Sequence, residues 1–174
     1  FPFDHSEHES QHDYHERVQW FLDEATVLIM HNAAHDLLWL WESGFKYDGP
    51  VFDTMLAEYV LQRGQKQPLS LEACAERYEL DTKKQDTLKE YFKKGYSTRD
   101  IPIDELKEYL SADLHATQQL SNKLMWRLNT TDSRLYDTVT LTNQVCVSLA
   151  RIYQSGFTVD TAALEDVRKE FENE

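Results

Sequence analysis

The spacing of the apolar residues changes in the segment from Val27 to Gly44. Residues 27–30, Val-Leu-Ile-Met, form an uninterrupted apolar run led by a β-branched residue, which predicts a short strand buried on both faces. From Leu37 to Trp41 the apolar residues recur at helical spacing, which predicts a helix with one wide buried stripe. Gly44 is the residue type expected just after the end of such a helix.

A polar segment, His-Asn-Ala-Ala-His-Asp at residues 31–36, separates the predicted strand from the predicted helix. Asn32 and Asp36 are four residues apart, so they share one helix face and lie one turn from each other. A carboxylate held beside an amide at the end of a strand is a candidate site for a cation and a phosphate. This junction is therefore the first candidate functional site.

The remaining pattern predicts mostly helices. Helices are expected at about residues 15–25, at 82–95, over a long tract from about 101 to 128, and at 135–155. Three further helices are expected to begin after a capping residue: Asp53, Ser70, and either Asp160 or Thr161 for the final polar helix. The buried side of the helix after Asp53 is expected to consist of Met55, Leu56, Tyr59, Val60 and Leu61. No internal repeat interrupts this pattern.

A carboxylate interrupts the apolar stripe of the long helical tract. Tyr109 and Asp113 lie four residues apart, on the same face. A buried carboxylate needs a partner, because burying its charge alone is costly. Asp113 could simply accept a hydrogen bond or lie at a solvated bend. Alternatively, Asp36 and Asp113 could converge on a divalent cation, with Tyr109 steering a water molecule.

The second alternative matches the needs of phosphodiester cleavage by two metal ions. Two divalent cations roughly 4 Å apart generate the attacking hydroxide and stabilise the leaving oxygen, and carboxylates from separate elements must hold them. A tyrosine hydroxyl can orient the water, and an asparagine amide can hold the phosphate or the sugar. Such a site needs no basic surface, because the metal ions neutralise the phosphate.

Charge and composition restrict the partners. The 174 residues carry 18 Lys and Arg against 31 Asp and Glu, a net charge of −13 that repels a phosphate backbone. Any contact with nucleic acid must therefore be local, through metal ions or a basic partner domain. The longest apolar runs fall far short of the roughly 20 residues that span a bilayer, so we expect no membrane partner. Cys74 and Cys146 are expected to be reduced core residues of an intracellular protein.

Several segments resemble the DEDD exonuclease superfamily. NAAHD at residues 32–36 is similar to its second motif, N-x-x-x-D, and YLSAD at 109–113 is similar to the third motif, Y-x-x-x-D, of its tyrosine-bearing branch. FDTMLAEYVL at 52–61 and LSLEACAERYEL at 69–80 are similar to segments between these motifs in the proofreading domain of family A DNA polymerases. SLARIYQSGFTVD at 148–160 is similar to the sequence that leads into their polymerase domain.

This resemblance implies an α/β, ribonuclease H-like fold, in which helices flank a mixed sheet. It also implies removal of nucleotides from the single-stranded 3′ end of DNA with two divalent metal ions, Mg²⁺ or Mn²⁺. By the same resemblance, Asp36 and Asp113 would be catalytic metal ligands, Tyr109 the catalytic hydroxyl that orients the water, and Asn32 a substrate contact. His35 fills a place often held by Phe or Tyr and leaves Asp36 in register.

The family's first motif, D-x-E, supplies two further metal ligands and has no match here. Asp4 and Glu7 are three residues apart and so do not share a strand face, and Asp4 precedes Asp36 by only 32 residues. Phe1 is not an initiating residue. We therefore expect a piece of a longer protein that is mostly helical because its first strands lie upstream. Residues 1–133 would be a partial exonuclease domain, nearly inactive alone, and 134–174 a helical linker into the polymerase domain.

The expected partners are a DNA 3′ end, the polymerase domain and the missing strands of the same parent. The resemblance suggests a bacteriophage protein of the host cell cytoplasm. Two alternatives stay open: a stand-alone exoribonuclease of the same superfamily, and a non-catalytic domain that braces a polymerase. The four histidines at 5, 8, 12 and 15 have helical spacing, so they form either a zinc site or part of a solvated loop.

Overall fold

The computed structural model describes residues 12–80 and 86–172. These residues form two strands and eight α-helices, together with one turn of 3-10 helix at Thr98–Asp100. In chain order the elements are α1 (His12–Glu24), β1 (Leu28–Met30), α2 (Ala33–Glu42), β2 (Val51–Asp53), α3 (Thr54–Leu61), α4 (Leu71–Arg77), α5 (Asp86–Lys93), α6 (Ile103–Thr131), α7 (Ser133–Ser155) and α8 (Thr161–Glu172). The predicted α/β class, dominated by helices, is confirmed.

The two strands pair in parallel, with Ile29 opposite Phe52 and Met30 opposite Asp53. Helix α2 forms the crossover between them, as a parallel pair requires. Both strands therefore end at the same edge of the sheet, and a helix begins directly after each. Strand β2 was not expected from the sequence, because its three residues merge with the start signal of the next helix.

Strand β1 is buried on one face only, so the prediction of a strand buried on both faces is wrong. Leu28 and Met30 pack against the core, whereas Ile29, which points to the opposite face, is 40% exposed. Successive strand residues point to opposite faces, and among the described residues β1 pairs only with β2. An apolar run alone does not show whether a second layer covers the strand.

Two apolar clusters form the core. The first contains Val18, Leu22, Ala33, Leu37, Trp41, Phe45, Tyr47 and Ala150. The second contains Phe52, Ala57, Leu61, Cys74, Leu120, Leu124, Leu128 and Val139. Helix α7 contributes Val139 to one cluster and Ala150 to the other, so it packs against both halves of the core. The division at residue 133 into an exonuclease domain and a linker stays a prediction.

Polar contacts also hold α7 against the strand region. The Arg151 guanidinium lies 4.0 Å from the centre of the Trp41 ring and forms an ion pair with Asp48. The buried amide of Asn143 donates a hydrogen bond to the Val51 carbonyl oxygen, 3.1 Å away. These contacts connect α7 to the end of α2, to the loop after it and to the start of β2.

The buried side of α3 differs from the prediction. Glu58 is 1% exposed, whereas Tyr59, expected in the core, is 59% exposed. The Glu58 carboxylate lies 2.8 Å from the Arg77 guanidinium and accepts a hydrogen bond of 2.5 Å from the Tyr78 hydroxyl. Burial and the neighbouring carboxylate raise the pKa of Tyr78 far above its ordinary value. Partners from α4 and the adjoining turn thus allow a charged residue to occupy the core.

The predicted helix caps are confirmed. Asp53 accepts hydrogen bonds from the backbone of Met55 and Leu56, and Ser70 accepts one from Ala73. Asp160 accepts hydrogen bonds of 3.0 Å from the first amides of α8. Within residues 12–80 and 86–172, no helix is both long enough and apolar enough to cross a bilayer.

Candidate active site

The first candidate motif lies where β1 passes into α2. Asn32 precedes the helix with φ 69° and ψ 56°, a left-handed conformation that residues other than glycine rarely adopt. Its side chain makes no capping hydrogen bond and is exposed. Asn32 thus lies outside α2, so the prediction that Asn32 and Asp36 share one helix face is wrong. Asp36 lies in the first turn of α2, also at the surface. Both side chains therefore point out of the core at the edge where the strands end.

The second candidate motif lies on α6, which packs against β1. The Tyr109 hydroxyl is hydrogen-bonded to the Asp113 carboxylate, and both side chains are partly buried. Burial, followed by the charge and hydrogen bond of Asp113 and the charge of Glu72, raises the pKa of Tyr109 above 10.0. The phenol thus keeps its proton at neutral pH and is the donor in the hydrogen bond to the Asp113 carboxylate.

His31 lies between the two motifs. Its Nε2 atom is 2.9 Å from the Leu69 carbonyl oxygen, and its Nδ1 atom is 2.9 Å from the Thr54 hydroxyl. Because a carbonyl oxygen only accepts, Nε2 carries the proton donated to Leu69. The ring interacts electrostatically with both Asp53 and Asp113. His31 thus connects the end of β1 electrostatically to the carboxylate on α6.

Asp36 has a charged neighbour in the same region. Partial burial raises the pKa of the Asp36 carboxyl group above 3.8, the nearby His35 opposes this rise, and the negative charge of Asp53 adds to it. A bound cation would relieve the repulsion between these carboxylates. The structure thus places Asp36 near Asp53, and Asp113 near Tyr109 and His31. The catalytic and metal-binding roles of these residues stay predictions.

The burial of His31 predicts an acid-sensitive fold. Burial lowers the pKa of His31 below 6.5. Below about pH 6.5, His31 is therefore protonated to a greater extent in the unfolded chain than in the folded chain, which favours unfolding. Stability should therefore fall as the pH drops from about 7 to about 5. In urea unfolding, His31→Gln should show a shallower pH dependence than the natural chain. Equal slopes would contradict this assignment.

Sequence reasoning missed three of the groups that organise this region. His31 and Thr54 were not singled out, and Asp53 was expected only to cap its own helix. In the structure, Asp53 also accepts hydrogen bonds from the backbone of Asn32 and Ala33. A signal was present in the sequence, since His31 precedes the Asn-x-x-x-Asp motif and Asp-Thr follows a short apolar run.

The described residues give no support to a histidine zinc site. His15 stacks on Phe45, with ring centroids 4.3 Å apart and planes at 15°. His5, His8 and the side chain of His12 lie outside what the structure describes, as do Asp4 and Glu7. Across residues 12–80 and 86–172, no group of three or more His, Cys, Asp or Glu side chains is arranged to hold a metal ion.

Comparison with known proteins bears on these motifs. A family described as 3′–5′ exonuclease matches residues 4–129, a range that includes both the Asn32–Asp36 and the Tyr109–Asp113 segments. The chain belongs to this 3′–5′ exonuclease family. The resemblance to the proofreading domain of family A polymerases is thereby confirmed.

One relative shows the larger context of such a domain. The DNA polymerase I of Synechocystis sp. is 33% identical to this chain over 101 residues, which is 58% of the chain. The match spans only 10% of that polymerase. Exonucleases of this family are generally metal-dependent. The oxygen donors on α2 and α6 are of the kind that Mg²⁺ and Mn²⁺ prefer.

Proposed function

We propose that this chain is the 3′–5′ proofreading exonuclease module of a family A DNA polymerase. It would hydrolyse the 3′-terminal phosphodiester bond of single-stranded DNA. The supporting observation is the arrangement around the strand ends: Asp36 interacts electrostatically with Asp53, and Asp113, which is hydrogen-bonded to Tyr109, interacts electrostatically with His31. Together with membership of a 3′–5′ exonuclease family, these interactions support a common site for both motifs.

Two divalent cations would be held in part by Asp36 and Asp113. The fit rests on donor chemistry, since both offer carboxylate oxygens and the charge of Asp53 already disfavours an ionised Asp36 without a counterion. When bound, the cations would activate the attacking water and stabilise the leaving oxygen. The described residues would supply two of the carboxylates that such a site needs, and the further ligands would come from residues outside the described part of the chain.

The side chains around these carboxylates have separate tasks. The Tyr109 hydroxyl, which keeps its proton at neutral pH, would hold the attacking water beside Asp113. The exposed Asn32 amide would contact the phosphate or sugar of the terminal nucleotide. With a net charge of −13, the chain offers no general attraction for DNA, so the contact depends on these local groups.

Activity measurements on the natural gene product test this function. In Mg²⁺ it should release nucleotides from the 3′ end of single-stranded DNA faster than from RNA. Faster hydrolysis of RNA would favour a stand-alone exoribonuclease. Polymerisation without any exonuclease activity would favour a non-catalytic bracing domain. We expect the 174-residue chain alone to hydrolyse DNA far more slowly than the gene product, because its described residues offer no group of three or more ligands arranged to hold a metal ion.

Tyr109→Phe tests the role of the hydroxyl. Loss of this hydroxyl should slow cleavage by about 10²-fold, because the attacking water would no longer be held in position. The midpoint of the Mn²⁺ titration should change little, because Asp113 remains. Tyr136→Phe, at a tyrosine on α7 that is 46% exposed, is the matched control. Unchanged cleavage by Tyr109→Phe would contradict the proposed role.

A further inference from the structure

One buried carboxylate joins the starts of two helices. Asp53 ends β2 and is 0% exposed. Its Oδ1 atom accepts hydrogen bonds from the backbone N–H groups of Met55, 2.8 Å away, and Asn32, 3.1 Å away. Its Oδ2 atom accepts one from the N–H group of Ala33, 2.8 Å away. The first amides of α2 and α3, which have no partner within their own helices, thus share one side chain.

The Asn32 turn depends on this arrangement. A φ of 69° is less favourable for asparagine than for glycine, although asparagine tolerates it better than most residues, so contacts from the surrounding structure stabilise it. The Asn32 side chain does not cap α2, so Asp53 does so from the neighbouring strand. Because Asp53 caps α2 in place of Asn32, the Asn32 side-chain amide faces solvent at the candidate site.

Thr54, the residue after Asp53, contacts Met30 and His31, which precede Asn32 in the same turn. The Thr54 hydroxyl donates a hydrogen bond to the Met30 carbonyl oxygen, 3.0 Å away, and lies 2.9 Å from His31 Nδ1. Each of residues 30–33 thus has a polar atom within 3.1 Å of the Asp53 or Thr54 side chain. The path of the chain from β1 into α2 is determined by these two neighbouring side chains.

We propose that Asp53 is a positioning residue of the exonuclease site. It holds Asn32 in the left-handed conformation and thereby determines where α2 places the Asn32 amide and the Asp36 carboxylate. Asp53 itself is buried, and both of its carboxylate oxygens accept hydrogen bonds from backbone amides. The inference rests on the proposed function for its activity measurements, whereas the backbone contacts of Asp53 can be tested without any activity.

Asp53→Asn in the natural gene product is the direct test. The shape is retained, but one acceptor oxygen becomes an NH₂ donor that faces a backbone N–H group. We expect exonuclease kcat/KM to fall by about 10- to 100-fold and the Mn²⁺ midpoint to rise, as for other groups that orient metal ligands. Asp132→Asn is the matched control, because Asp132 caps α7 through the Arg134 amide at the surface, and it should leave both values unchanged.

A glycine at position 32 separates positioning from general stability. Glycine adopts a positive φ without strain, so it needs less help from Asp53. In an Asn32→Gly background, the effect of Asp53→Asn on kcat/KM should be at least about threefold smaller than in the natural background. Equal effects of Asp53→Asn on kcat/KM in both backgrounds would overturn the proposal. If Asp53 only stabilised the fold, its effect would not depend on the residue at position 32.

Amide hydrogen exchange provides a measurement that needs neither activity nor a folded variant. In the natural protein the Ala33 amide should exchange as slowly as the Met55 amide, since both donate to the same buried carboxylate. It should exchange more slowly than the Ala162 amide, which donates to the exposed Asp160. An Ala33 amide as fast as that of Ala162 would overturn the proposal even if Asp53→Asn does not fold.

The outcomes distinguish this inference from the proposed function. If the natural gene product has no exonuclease activity while the Ala33 amide is protected, the proposed function fails and the contact of Asp53 stands. If the gene product is active and Asp53→Asn matches Asp132→Asn in kcat/KM and metal titration, the positioning role fails and the proposed function stands.

Discussion

Asp36→Asn and Asp113→Asn should each abolish Mg²⁺-dependent release of 3′ nucleotides by the natural gene product, while polymerisation survives. Each change removes a carboxylate charge that would hold a cation, and the amide is a much weaker ligand. Because loss of a group that only orients a metal ligand costs about 10- to 100-fold, loss of a ligand should cost more than a hundredfold. The measurement is single-turnover cleavage of a 5′-labelled single strand.

Matched controls exist on the same two helices. Asp104→Asn changes a carboxylate on α6 whose side chain is 92% exposed, and Glu42→Gln changes an exposed carboxylate at the end of α2. Neither should alter cleavage. If cleavage persists in Asp36→Asn or Asp113→Asn at the rate of these controls, that aspartate is not a metal ligand. A loss of polymerisation in parallel would instead indicate unfolding.

Arg77→Met should produce the largest loss of stability among the substitutions considered. The Glu58 carboxylate is 1% exposed, and Arg77 is its nearest cationic partner, at 2.8 Å, while the Arg127 guanidinium lies 3.9 Å away. Removing Arg77 leaves a buried charge incompletely compensated, which costs about 3 kcal/mol of unfolding free energy. For a chain of this size, the melting temperature should fall by about 9 °C.

Arg168→Met on α8 is the control for this prediction. Arg168 pairs at 3.0 Å with Glu165 at the surface, where an ion pair contributes less than about 1 kcal/mol. Adding Glu58→Gln to Arg77→Met should recover part of the loss, because the uncompensated charge is then removed. If Arg77→Met and Arg168→Met are equally stable, the buried ion pair does not stabilise the fold as its geometry indicates.

Local signals in the sequence predicted much of the fold. Asp53, Ser70 and Asp160 each precede a helix as predicted, because a capping side chain acts on amides only two or three residues away. The apolar run at 27–30 predicted a strand, although β1 is half-exposed. Its burial depends on which layers cover it, and that information is spread over distant parts of the chain.

The candidate site likewise has features that the sequence predicted and features that depend on contacts between distant residues. The two motifs, together with the segments between them, were sufficient to predict the family. The four-residue spacing also placed Tyr109 and Asp113 on one face of α6, whereas Asn32 lies before α2 in a left-handed conformation. The second role of Asp53 was not predictable in this way. Its carboxylate reaches Ala33 across 20 positions of sequence, and such a contact exists only after β1 and β2 have paired.

The sequence by itself determined the helices, their caps and the two motifs, because each depends on side chains within about one helical turn. Only the tertiary structure decided that Glu58 is buried, that Tyr59 is exposed, and that Asp53 holds the Asn32 turn. Burying a charge or holding a left-handed residue is unfavourable in isolation, and partners from other elements make it stable. Those partners are brought together by packing, which no local pattern encodes.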